Sequence, residues 1–170
     1  MKIASAILAL GLYSFVLLAQ AGGHDSADSS IVSGEVSAPG AVLGEAKITV
    51  TLNGVNIKDG GTMIVTLFKE EKTWLKTKKA LRNTKFKLEQ GANLTVTFEG
   101  LAPDSDYAIQ ALHDANDNGK MDMKFLPFPQ PKEGSGFSNN YQPSGFPKYE
   151  GAKIKLTGSS LETAINLQYP

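Results

Sequence analysis

The 170-residue chain contains no cysteine. That excludes disulfides, thiol catalysis and thiolate metal sites in any compartment. Histidine is nearly as scarce. His24 and His113 are the only two, too few nitrogen donors for a soft-metal centre. Neither sign of charge is in excess, with 17 Lys and Arg against 17 Asp and Glu. Nucleic acid and anionic membrane surfaces are therefore not expected partners. No G-x-S-x-G elbow, phosphate loop or H-E-x-x-H helix occurs, which removes the commonest hydrolase and nucleotide signatures.

Long apolar runs are missing too, apart from Ile3 to Leu18. Lys2 before it and Ala19-Gln20-Ala21 after it have the pattern of an export signal, with cleavage expected after Ala21. The run is too short and wrongly flanked for a stable membrane span. The expected product is exported, periplasmic or secreted. Residues 22–46 are small and polar with Pro39-Gly40 near the end, and are expected to be a flexible leader with at most a short edge strand over 31–36.

From residue 47 the pattern is that of strands. Ile48, Val50 and Leu52 alternate with threonines up to Asn53-Gly54, and Thr62 to Phe68 is a largely apolar run. Glu70 to Lys79 suits a short helical turn or loop, with Trp74 and Leu75 docked on the sheet edge. Phe86 and Leu88, then Leu94, Val96 and Phe98, then Tyr107, Ile109 and Ala111 mark three further strands. Ala152 to Leu156 and Leu161 to Leu167 are expected to form a closing hairpin across Gly158-Ser159. About seven short strands with little helix predict a single all-β sandwich over 47–170.

Residues 114–150 break this rhythm. They hold five of the eight prolines and no sustained period, and a long excursion in a compact domain is usually functional or held by something. It opens with Asp114-Ala115-Asn116-Asp117-Asn118-Gly119-Lys120-Met121-Asp122. Oxygen-bearing side chains at alternate positions, followed by glycine, are the opening of a calcium loop. The expected metal ligands are the side chains of Asp114, Asn116, Asn118 and Asp122 and the backbone carbonyl of Lys120. The glutamate of a complete EF-hand loop is replaced by Phe125, so another group must finish the shell. Glu133, Ser138, Asn139 and Asn140 are candidates, either as ligands or as hydrogen-bonding partners of the loop, and the alternative is an ordinary Asn/Ser/Gly turn. The competing reading is a metal-free Asx turn, since Asn118-Gly119 is itself a strong turn signal. His113 beside the loop reads as structural.

The excursion is also rich in rings: Phe125, Phe128, Phe137, Tyr141, Phe146 and Tyr149. They suit either docking onto the sandwich or a platform for a sugar or peptide.

Ala111 to Asp122, followed by Lys132-Glu133-Gly134-Ser135-Gly136-Phe137-Ser138-Asn139-Asn140, resembles a bacterial exported family known as domain of unknown function 2141. Its pattern is H-D-x-N-x-N-G-x-x-D and then P-x-E-G-x-G-F-S-N-N. Gly61 to Phe68, Leu101 to Ala108 and Pro147 to Leu167 resemble its other segments. Two positions depart from the pattern, Asp104-Ser105-Asp106 in a turn that favours glycine and Leu126 in place of a glycine. The resemblance implies an immunoglobulin-like or transthyretin-like sandwich and no particular activity. The expectation is a binding or structural module with a calcium-ordered loop, facing an unknown small molecule, glycan or envelope protein, as a monomer. The alternative is a hydrolase that uses loop carboxylates.

Overall fold

Strands dominate because β-branched and aromatic residues alternate with polar ones through most of the chain. The computed structural model describes residues 35–37, 43–125 and 130–170. The expected export signal, residues 1–21, lies outside the described residues. β1 (Glu35–Ser37) falls within the segment expected to be a leader and pairs antiparallel with β4 (Arg82–Lys87). β2 (Ala46–Asn53) starts one residue before the expected boundary, and Leu43 already donates its backbone N–H to Gly100 O.

The larger sheet has the order β1-β4-β3-β6-β10, with β3 (Thr62–Phe68), β6 (Ser105–Asp114) and β10 (Lys153–Leu156). β7 (Met123–Lys124) and β8 (Gln130–Pro131) form a separate antiparallel pair, and β9 (Ser135–Phe137) shares the far edge of β6 with β10. The smaller sheet runs β11-β2-β5, with β5 (Thr95–Leu101) and β11 (Ser160–Asn166). Between the two sheets, Ile48, Val50, Leu52, Phe98 and Ile165 meet Met63, Val65, Leu67, Tyr107 and Ile109 in one core. This all-β sandwich is the architecture that the alternation predicts.

The expected closing hairpin is overturned. β10 lies antiparallel to β6 in the larger sheet, whereas β11 lies parallel to β2 in the smaller one. Gly158, at φ 71°, sits where the chain passes from one sheet to the other. Alternation specifies which face of a strand is buried, and both placements bury the same residues.

β3 and β6 are central strands, buried on both faces. A second cluster covers part of the outer face, where Trp74 packs edge-on against Phe68 and Tyr149 and close to Phe137. The segment expected to be a short helical turn or loop forms two 3-10 turns, Glu71–Thr73 and Thr77–Lys79, on either side of Trp74. Among the described residues no helix is long and apolar enough to cross a membrane.

Candidate functional site

β6 delivers the loop. Its last residue, Asp114, is opposite Thr62 of β3 and is 1% exposed. The Asp114 carboxylate accepts the N–H of Asn118 at 3.0 Å on one oxygen and that of Gly119 at 2.6 Å on the other. Gly119 has φ 74°, the left-handed conformation that a tight turn demands of glycine. Asn116 Oδ1 accepts from the Asn118 N–H, and Asn118 Oδ1 from the Lys120 N–H, giving two successive Asx turns. The same two side chains donate their amide N–H groups to the Asp122 carboxylate, at 2.8 and 3.1 Å. These bonds hold the Asp122 carboxyl below its ordinary range.

The predicted side chains of Asp114, Asn116, Asn118 and Asp122 are thus brought into one hydrogen-bonded ring. Lys120 joins it through its N–H. Asp117 points elsewhere. At φ 59° it turns its carboxylate to the Thr62 hydroxyl and to Lys87 Nζ, each at 2.6 Å, and so straps the loop to β3 and β4. The Lys87 hydrogen bond, then that of Thr62, lowers its pKa. No three His, Cys, Asp or Glu groups among the described residues form a metal-holding set.

Gly61 lies against the loop so closely that an added Cβ would come within 2.4 Å of Asp114 O. A side chain there has no room without moving the backbone of the loop.

The second motif divides its labour, and only one of its four candidate residues reaches the loop. Glu133 is buried, and its carboxylate accepts the N–H of Ala115 at 3.2 Å and of Asp122 at 3.1 Å, joining the two ends of the ring. Ser138 serves the sheet instead. β10 covers β6 up to Ala108 and β9 begins at Gln110, so Ile109 falls at the seam. The Ser138 hydroxyl, fully buried, accepts the Ile109 N–H at 2.8 Å and donates to Ala152 O. Asn139 donates to Gly151 O, and Asn140 Oδ1 accepts from both the backbone N–H and the side-chain amide of Asn166 on β11. Each of the four is built into the scaffold by its own set of hydrogen bonds.

His113 was expected to be structural, and it is buried with both ring nitrogens in use. Gly60 O, which can only accept, lies 2.8 Å from Nε2, so Nε2 carries the proton. Nδ1 then accepts from the Tyr169 hydroxyl at 2.8 Å, and that hydroxyl accepts the Asn56 N–H at 2.9 Å. The neutral Nε2–H tautomer satisfies every group in this relay. Burial raises the Tyr169 hydroxyl above its ordinary range. Gly134 lies under the Tyr169 ring, leaving no space for a Cβ. Sequence reasoning missed Tyr169, the penultimate residue, because no local pattern marks a tyrosine whose partner lies 56 positions away.

Most of the described rings of the excursion dock. Phe137 and Tyr149 are buried, and Tyr141 packs beside Phe137. Tyr149 donates its hydroxyl to Lys69 O, and burial pushes its pKa up to about 12. Trp74 ties the same region down by donating to Pro147 O. Phe125 and Phe146 remain exposed, while Phe128 lies outside the described residues.

A family model described as an uncharacterized protein conserved in bacteria, DUF2141, matches residues 50–164. No curated protein and no solved structure matches the chain.

Proposed function

We propose, from the premise that this chain belongs to the DUF2141 family, that it is an exported binding or structural module of the bacterial cell envelope. In this reading the loop from Asp114 to Asp122 takes calcium and thereby orders the excursion. The observation that supports it is the convergence of Asp114, Asn116, Asn118 and Asp122 from alternate loop positions. Two carboxylates and two amide oxygens are hard donors suited to calcium. An ion would take the place that the amide N–H groups of Asn116 and Asn118 now hold beside Asp122, with those amides turned to present oxygen. Two neutral asparagines among the leading donors make the expected affinity weak, on the order of 10⁻⁴–10⁻³ M.

A second reading has its own support. The ring is already satisfied by hydrogen bonds, and among the described residues no set of three His, Cys, Asp or Glu groups accompanies it. On that reading the loop is an ion-free polar knot with the same ordering role. The hydrolase alternative has less behind it. Asp117, Asp122 and Glu133 are each occupied by structural hydrogen bonds, and no shared catalytic pair is formed.

Calorimetry of the chelator-stripped protein with calcium and then magnesium separates the first two. Saturable calcium binding that raises the melting temperature and slows proteolysis within 114–150, all lost in Asp114→Ala, supports the ion. Absence of binding at millimolar calcium leaves the knot.

A further inference from the structure

Beside the loop, the outer face of the larger sheet carries an open groove of about 310 Å³. Ile64 and Leu112, paired across β3 and β6, lie in it with Leu75 and Met121. Phe146, 82% exposed, lines it as well. The charged residues that line the groove are Lys85 and Lys120. Both are exposed, and Lys120 makes no ion pair or side-chain hydrogen bond among the described residues, while Lys85 lies opposite Glu35 of β1. Gln110 adds an amide that likewise has no side-chain partner there.

We propose that this groove binds a small amphipathic carboxylate, its apolar body on Ile64 and Leu112 and its charge between Lys85 and Lys120. The volume is at the lower end of small-molecule sites. An apolar surface flanked by two lysines, with no acidic residue in its lining among the described residues, complements a molecule with one anionic end. Phe146 supplies a ring that gains by being covered. An extended peptide is a poorer fit, because β3 is hydrogen-bonded to β4 on one edge and β6 on the other. The sheet surface beneath the groove therefore has no free backbone groups for strand addition. The proposal rests on the binding-module reading but not on the ion, although Gly119 to Met121 of the candidate calcium loop form one wall.

The test uses octanoate as the probe and octan-1-ol as its uncharged counterpart, followed by amide NMR shifts of the protein with chelator and again with calcium. The expected result is saturable octanoate shifts at Ile64, Thr66, Gln110, Leu112 and Lys120, in both conditions. Lys85→Glu with Lys120→Glu should weaken octanoate about tenfold and leave octan-1-ol unchanged, the scale expected for losing two exposed charge contacts. Phe146→Ala should weaken both probes. These substitutions are all at exposed positions, so an unchanged amide spectrum verifies the fold. No saturable shift, shifts centred elsewhere, or octanoate binding indifferent to the charge reversal would each overturn the proposal. Calcium binding is read separately at the amides of residues 114–122, so either idea can fail without the other.

Discussion

From Met63 to Leu67, the inward side chains of β3 are hydrocarbon or thioether, and they meet their equals from the opposite sheet. From Glu133 to Asn140, by contrast, stability comes from single polar atoms and missing side chains. Glu133 closes the loop, Ser138 fills a seam, Asn140 caps β11, and Gly134 and Gly136 admit neighbours where a Cβ has no space. A hydrocarbon core tolerates rearrangement among similar volumes. A buried hydroxyl or a glycine contact has no substitute of similar kind. The two regions should therefore fail differently, one globally and in proportion to volume, the other locally and according to which atom is removed.

Four changes test that contrast, in falling order of effect. Leu67→Ala removes a fully buried side chain from the sandwich and should cost about 2–5 kcal/mol. Denaturant unfolding should show the whole domain destabilised; a loss confined to the excursion would break the comparison. Ser138→Ala leaves the Ile109 N–H without its acceptor and Ala152 O without a donor, for about 1–3 kcal/mol. Hydrogen exchange should quicken at Ile109 and around the β9–β10 seam, with Ile48 and Val50 unaffected at the same denaturant. Glu133→Gln keeps the shape but replaces one of the oxygens that hold Ala115 and Asp122, at about 1–3 kcal/mol of local stability. Proteolysis within 114–132 should accelerate while the melting temperature falls little.

The smallest effect is acid loosening of the loop. The hydrogen bonds from Asn116 and Asn118 depress the folded pKa of Asp122, and those from Lys87 and Thr62 depress that of Asp117. Their stabilisation is present above the unfolded aspartate value of about 3.9 and disappears as pH falls through the lower folded values. An NMR titration should show the amides of Asn118, Gly119 and Lys120 shifting below pH 4 while β3 stays native. Coincident loss of both would mean that the loop and the sandwich melt as one.

The strand faces were legible because alternation is a local record of which side is buried. Ile48, Val50 and Leu52, and later Tyr107, Ile109 and Ala111, are where that record points. The loop ring was legible for a similar reason, since its donors lie within nine residues and spacing alone brings them together. β9 was not. Ser135-Gly136-Phe137 is too short to show a period, and its partners, β6 and Gln168, are distant in sequence. The roles of Ser138, Asn139 and Asn140 were hidden too, as an Asn/Ser turn reads the same whether its partners are a cation, water or a seam in a sheet.

The sequence by itself determined the all-β class, the membership of the core and the turn chemistry from Asp114 to Asp122, since periodicity and short-range hydrogen bonding act between near neighbours. Tertiary structure alone decided that β10 and β11 separate into different sheets, that β11 runs parallel to β2, and that Glu133 and Tyr169 close on the loop and on His113. Those pairings are chosen by competition among distant segments of similar pattern, and close packing settles it.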